Sequence, residues 1–227
     1  MQRVIIKTDD NSETIFDESL QEIFHSKKGA LSESNHVFIE SGFNYLGNKC
    51  DELNIFEVGF GTGLNTILTL IQSDKLNKKV IYHSIEAYPL DFNLWNSLNY
   101  IDFLPKEYKE SFYKLHSLDW NEEFKITDNF SFKKINFKLE EYFFNHNYNL
   151  IYFDAFSPDK QPILWTYDIF KKIYEALNNN SVLVTYCAKG DVKRSLQKAG
   201  FNIEKLKGAL GKREMIRARK EIISETL

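Results

Sequence analysis

One segment constrains this chain more than any other: Asn54-Ile55-Phe56-Glu57-Val58-Gly59-Phe60-Gly61-Thr62-Gly63-Leu64-Asn65-Thr66. A short apolar run ends in an acid, three glycines follow at alternate positions, and a helical pattern starts at Leu64. Strand, tight turn and helix in that order make the first unit of a nucleotide-binding α/β fold. Glycine stands where backbone must turn sharply or come close to a ligand. A dinucleotide fingerprint wants its third glycine one position later, where Leu64 stands. The G-x-G-x-G spacing, with Glu57 two residues ahead, fits an S-adenosylmethionine (SAM) site better. SAM has no pyrophosphate to set on a helix N-terminus; its methionine part carries an amine and a carboxylate that loop backbone can hold. The expected contacts are Gly59, Phe60, Gly61, Thr62, Gly63 and Asn65, with Glu57 ordering the loop or holding the methionine amine. The plainer reading is a glycine-rich turn between a buried strand and its helix, but a structural turn rarely needs three glycines in five residues.

The 227 residues suffice for one large domain with a full core. We expect an N-terminal hairpin and helix extension over residues 1–50 and the main domain over 51–227. Hydrophobic residues at 43% and charged residues at 27% are an ordinary soluble balance. No stretch reaches membrane-spanning length. Met1–Lys7 reads as a strand and not as a signal peptide. Cys50 and Cys187 are too few for a disulfide framework or a cysteine-rich zinc site, and the five histidines lack ligand spacing. The expectation is a cytoplasmic protein without metal. The net charge of −3 excludes a uniformly basic nucleic-acid binder. The C-terminal part is nonetheless crowded with cations, among them Lys189, Lys193, Arg194, Lys212 and Arg213. On charge alone, an anionic-partner surface and a solvated face remain equally open.

Val4–Thr8 and Thr14–Phe16 flank a turn signal and predict a hairpin. A helix follows from Leu31 to about Leu46, capped by Ser32 or Ser34. Core strands are expected at Leu53–Val58, Val80–Ile85, Phe130–Phe137, Asn149–Phe153 and Ser181–Cys187. Phe201–Leu206 and Glu214–Ala218 then close the sheet as a pair. Helices are expected over Leu64–Gln72, after Pro89, over Leu139–Phe144, over Trp165–Leu177 until Asn178-Asn179-Asn180, and over Asp191–Ala199. Ile101–Phe124 reads as mixed helix and loop. This alternation implies a Rossmann-like, seven-stranded, mostly parallel α/β sheet with helices on both faces.

Ligands of such sheets lie outside the carboxyl ends of the strands. Three acids fall there: Glu57, Glu86 and Asp154. Glu86 sits where an acid accepts hydrogen bonds from ribose hydroxyls, a task suited to a group that only accepts. Asp154 follows four apolar strand residues and opens a loop, Asp154-Ala155-Phe156-Ser157-Pro158-Asp159-Lys160-Gln161-Pro162. A carboxylate there is costly unless it has a partner or a task. Methylation of an amine needs a neutral nitrogen, and a carboxylate can hold the ammonium and help remove its proton. Phe156 and Trp165 could stack on a singly presented base, and core packing explains them equally well.

At this loop the chain resembles the bacterial tRNA 5-methylaminomethyl-2-thiouridine methyltransferases, including the methyltransferase half of the bifunctional wobble-uridine modification protein. The likeness rests on Phe24-His25-Ser26 with Glu33–Ile39, on Glu57–Asn65, on Asp154–Pro158 with Pro162 and Trp165, and on Lys212-Arg213-Glu214-Met215. It implies SAM as methyl donor, the aminomethyl group of a wobble uridine in a tRNA anticodon stem-loop as acceptor, and Asp154 as the catalytic aspartate. It also implies SAM contacts from the loop glycines and Glu86, to which we add Asp154 itself and Ala155. Phe156, Trp165, Lys189, Lys193, Arg194, Lys212 and Arg213 are the expected tRNA contacts. Lys138 stands where members often carry an acid near the adenine, which leaves that contact unassigned. No second dinucleotide fingerprint is present, so a flavin-dependent half is not expected. The rival readings are a methyltransferase for a small-molecule or protein amine, an inactive SAM-binding scaffold and a nicotinamide enzyme.

Overall fold

Three short strands come first: β1 (Arg3–Lys7), β2 (Glu13–Asp17) and β3 (Glu22–Ile23), paired antiparallel in that order. The computed structural model describes residues 3–221; Met1 and Gln2 of the expected first strand, and residues 222–227, lie outside them. The β1–β2 turn carries Asn11 at φ 68, a conformation an asparagine tolerates. Asp10 in that turn accepts hydrogen bonds from the Ser12 N–H at 3.1 Å and from the Ser32 N–H at 2.9 Å. The following helix is therefore capped from the hairpin, and neither Ser32 nor Ser34 caps it. It runs as α1 (Ala30–Ser34), ten π-helical residues (Asn35–Asn44) and α2 (Tyr45–Gly47). A Cβ on Gly42 would stand 3.0 Å from Val184 and 3.1 Å from Tyr152, so this helix lies directly on the large sheet.

The large sheet is built from β4 (Glu52–Val58), β5 (Lys79–Glu86), β6 (Glu123–Lys125), β7 (Phe130–Asn136), β8 (Tyr148–Phe153), β9 (Leu177–Thr185), β10 (Asn202–Lys207) and β11 (Glu214–Lys220). Its order is β10-β11-β9-β8-β4-β5-β7-β6. The pairs among β4, β5, β7, β8 and β9 are parallel, while β10, β11 and β6 join antiparallel. The seven expected strands are present, and β6 adds an eighth at the edge. Three residues are too short to show an alternation pattern, which is why that stretch reads as helix and loop.

Helices α3 (Leu64–Leu76), α4 (Phe92–Trp95), α5 (Lys109–Ser117), α6 (Tyr167–Ala176) and α7 (Gly190–Ala199) complete the chain. Alternation along β4 sends Leu53 and Ile55 to the face covered by α3, and Phe56 and Val58 to the face covered by α6 and α7. The helix expected over Leu139–Phe144 does not form. Lys172 Nζ takes the carbonyls of Leu139, Glu140 and Tyr142 at 2.9–3.1 Å, which leaves turns in place of a helical ladder. The helix after Pro89 begins only at Phe92 and lasts four residues. Asn178–Asn180 lie not in a helix end but in the irregular first part of β9.

Strand register positions the site. Val58 pairs with Ile85 on one side and with Phe153 on the other. Gly59, Glu86 and Asp154 therefore leave the sheet in one row, and β4 stands where the chain's progress across the sheet reverses, the crevice in which such folds bind ligands.

Candidate active site

A cavity of about 900 Å³ opens over this row. Its floor is Val58–Thr62, Leu64 and Asn65; one side is Ile85–Tyr88 and Phe137–Glu140; the other is the loop Asp154–Leu164. The roof comes from the N-terminal region, including Arg3, Glu22, Phe24 and Glu33. Phe24 meets Phe156 edge-on at 4.9 Å, and Ser157 donates to Glu22 at 2.8 Å, so the small sheet touches the Asp154 loop directly.

The glycine loop is held by its backbone. The Gly59 N–H donates to the Ile85 carbonyl at 2.9 Å, the Asp154 N–H to the Val58 carbonyl at 3.1 Å, and the Gly63 N–H to the Phe60 carbonyl at 2.8 Å. Gly59 and Gly61 have φ of +93 and +49. A Cβ on Gly59 would lie 2.8 Å from the Asp154 carbonyl oxygen, so the strand end admits only glycine. Gly63 does not face the cavity: its Cβ would strike His116 Nε2 at 2.7 Å, and that nitrogen donates to the Thr62 carbonyl at 3.1 Å. Burial holds His116 down to about 3, so it is neutral and pins the loop from behind. Phe60 packs on the same ring at 5.0 Å and borders the cavity.

Glu86 reaches into the cavity and accepts from the Gly61 N–H at 3.1 Å and the Tyr88 N–H at 2.8 Å, one on each oxygen. Burial raises its carboxyl, opposed by those amides. Each oxygen keeps acceptor capacity for an incoming hydroxyl. Glu57 behaves differently. Strand alternation turns it toward α3, where it is fully buried, does not line the cavity, and accepts from Ser84 at 2.6 Å and Thr66 at 3.0 Å on the same oxygen. Its other oxygen has no partner, and burial pushes its carboxyl up to about 8. It orders the floor beneath the loop.

Asp154 borders the cavity, and Asn65 from the first turn of α3 donates to its Oδ2 at 2.8 Å. Burial pushes its carboxyl up to about 7; the charge of Glu33 adds to the rise, while the Asn65 bond and Lys212 oppose it. An acid poised near neutrality in a cavity wall can take a proton from a ligand and release it to solvent. Ala155 lies beside it, and its carbonyl accepts from the Tyr186 hydroxyl at 2.9 Å. Phe156 faces the cavity, whereas Trp165 does not. Trp165 is 5% exposed, packs on Phe153 at 4.8 Å and donates from Nε1 to the Phe156 carbonyl at 2.8 Å, which makes it a strut under the loop.

The five C-terminal cations separate. Lys189 lies at the cavity rim, paired with Asp159. Lys212 lies in the cavity wall, paired with Glu33 at 2.7 Å. Lys193, Arg194 and Arg213 stay outside the cavity, Arg194 bridged to Asp191. Glu33, Tyr186 and Phe24 join the site without having been singled out as site residues. The signal that could have found Phe24 and Glu33 is that both fall in stretches carrying the family resemblance. Among the described residues, no group of three or more His, Cys, Asp or Glu could hold a metal ion, and no helix is long and apolar enough to cross a membrane.

Residues 98–221, more than half of the chain, match a family described as S-adenosyl-L-methionine-dependent methyltransferase. The chain belongs to that family. The matched span carries Asp154 and Lys212 and begins after the glycine loop. This methyltransferase is 30% identical over 216 residues to the tRNA 5-methylaminomethyl-2-thiouridine biosynthesis bifunctional protein MnmC of Nitrosospira multiformis, covering 86% of this chain and 33% of that protein. It is 28% identical over 214 residues to the MnmC protein of a Marinomonas species, covering 86% and 30%. The chain thus spans about a third of the length of these relatives. Among solved structures it is similar to MNMC2 from Aquifex aeolicus, with a TM-score of 0.80 and 26% identity over 96% of this chain and 70% of that one. Spermidine synthase from Thermotoga maritima shares the fold alone, with a TM-score of 0.54 at 11% identity.

S-adenosyl-L-methionine is the methyl donor of the family, and the cavity's chemistry fits it. Gly61 presents bare backbone to the cavity, and Glu86 retains acceptor capacity on both oxygens.

Proposed function

We propose that this methyltransferase acts on tRNA, methylating the exocyclic amine of 5-aminomethyl-2-thiouridine at the wobble position to give 5-methylaminomethyl-2-thiouridine. The observation that carries the reading is Asp154: a carboxyl raised to about 7, fixed by Asn65, in the wall of a cavity beside the glycine loop. In this reading Gly59, Phe60, Gly61, Thr62, Asn65, Glu86 and Ala155 hold the donor, which supplies an electrophilic methyl group. Asp154 first holds the acceptor's ammonium and then takes one of its protons, leaving a nitrogen lone pair. The aromatic wall of Phe24 and Phe156 excludes water from that exchange and offers a face to a base turned out of its stack. The MnmC relatives, named as tRNA 5-methylaminomethyl-2-thiouridine biosynthesis proteins, support tRNA as the substrate class.

The test is incubation with labelled S-adenosylmethionine and tRNA lacking the terminal methyl, followed by nucleoside analysis. Label in 5-methylaminomethyl-2-thiouridine supports the reading. Label in another nucleoside, or only in a small-molecule or protein amine, overturns it.

A further inference from the structure

The cavity wall also holds a pair of opposite charges that methyl transfer as outlined leaves without a task. Glu33 is only 6% exposed; its Oε1 accepts from Lys212 Nζ at 2.7 Å and its Oε2 from the Ser26 N–H at 2.6 Å. Lys212 Nζ also stands 3.9 Å from the centre of the Tyr186 ring. The Tyr186 hydroxyl donates to the carbonyl of Ala155, the residue next to Asp154. Glu33, Lys212, Tyr186 and Asp154 all line one cavity. Glu33 is buried and Lys212 half-buried, and such an ion pair is weak evidence for stability, because desolvation offsets much of its attraction. Nor does the β10–β11 hairpin need it as a fastening, since His36 Nε2 already bonds the Lys207 carbonyl at 2.7 Å.

We propose that the Glu33–Lys212 pair sets the proton affinity of Asp154, its two members acting in opposite directions. The reasoning is electrostatic. Near an acid in a poorly solvated wall, a carboxylate disfavours ionisation and an ammonium favours it. Side by side, the two oppose each other at Asp154; with one removed, the other acts uncompensated. The directions agree: Glu33 raises the Asp154 carboxyl and Lys212 lowers it. The remaining groups around Asp154 are the Asn65 amide from α3, Glu57 from β4, the Tyr186 phenol after β9 and the Tyr100 phenol. Of these only Tyr186 meets the pair, through the Lys212 ammonium over its ring, a contact that Lys212→Arg keeps as a cation and Lys212→Met as an apolar chain. Lys212 thereby leaves the set of expected tRNA phosphate contacts and joins the acceptor end of the cavity, where it acts through Asp154.

The inference rests on Asp154 being the proton acceptor only in its consequence for rate, so two readouts separate the claims. The first is a carbon-13 carboxyl NMR titration of Asp154 in the ligand-free full chain, the resonance assigned by its loss in Asp154→Asn. Glu33→Gln should lower the midpoint by about one unit, and Lys212→Met should raise it by about one unit. Lys212→Arg, which keeps the charge, should stay close to the unaltered protein. Midpoints that do not move, or that move in the same direction in the first two variants, overturn the proposal. Should Lys212→Met fail to fold, the sign of the Glu33→Gln shift decides alone. The second readout is the pH profile of kcat, whose acid limb should follow the two midpoints. Opposite NMR shifts without matching limbs would leave the charge balance standing and remove Asp154 as the base.

Discussion

Asp154→Asn tests the chemistry most directly, because it keeps the shape of the side chain and its contact with Asn65 while removing the ionisable group. A carboxyl titrating near 7 is roughly one-tenth ionised at pH 6 and nine-tenths ionised at pH 8. If only the ionised form accepts a proton from the acceptor ammonium, kcat in the unaltered protein should rise about tenfold across that interval. Loss of a positioned base costs on the order of 10²–10⁴ in rate. Single-turnover methyl transfer to tRNA, measured from pH 5.5 to 8.5, should therefore show Asp154→Asn slower by that factor and without the limb near 7. Stability should change in the opposite sense. The carboxyl moves from 3.8 in a free side chain to about 7 in the fold, so between those values the folded chain keeps a proton that the unfolded chain has lost. Stability falls as pH rises through that window and stays at its lower level above 7. Asparagine does not ionise, so the variant should melt higher than the unaltered protein at pH 8, with the gap closing toward pH 4. A variant with normal turnover, or a rate limb near 7 that survives the substitution, would refute the assignment of the base.

Gly61→Val places a branched side chain at φ +49, with its Cβ 3.5 Å from Phe24 inside the cavity; calorimetry should show S-adenosylmethionine binding lost, with NAD bound by neither protein, and unchanged binding would refute the loop assignment. Glu57→Gln removes a buried carboxyl raised to about 8 from 4.5, so by the same sign it should raise the melting temperature at pH 8.5 and lose that advantage toward pH 4.5; a lower melting temperature throughout would show that the charge itself is needed. Lys193→Glu with Arg194→Glu, on α7 outside the cavity, should weaken tRNA binding and flatten its salt slope by roughly 0.7–0.9 per lost phosphate contact, leaving donor affinity unchanged; an unaltered slope would mean that this face is only solvated.

What the sequence shows of the site follows from how local each signal is. The row formed by Gly59, Glu86 and Asp154 is legible because each residue ends an apolar run, and parallel register then brings the three ends level. The loop glycines are legible because their φ values are a backbone demand written into residue type. β6 and the missing helix at Leu139–Phe144 are not legible. One is too short for a pattern, and the other is undone by Lys172, some thirty positions away, which takes the carbonyls that helix would need. From its place in the motif Glu57 reads as ordering the loop or holding the methionine amine. Strand alternation sends it to the face covered by α3, with Leu53 and Ile55, while Phe56 and Val58 take the other, which leaves it the first of those two roles.

Lys212 shows how far residue type alone can mislead. In sequence it belongs to a basic tract and reads, with its neighbours, as phosphate-binding surface. In space the tract divides: Lys193, Arg194 and Arg213 stay outside the cavity, whereas Lys212 turns inward to Glu33, 179 positions earlier in the chain. Only the meeting of the N-terminal helix with the β10–β11 hairpin decides between the two, and no spacing rule reports a meeting of that range. The same geometry explains why the roof is built from both ends of the chain. Asp154 needs an enclosed wall to sit near neutrality, and the strands that carry it cannot close over their own carboxyl ends. Phe24, Glu33 and Lys212 supply that enclosure, so the proton affinity of the central acid depends on segments that carry none of the glycine-loop signature.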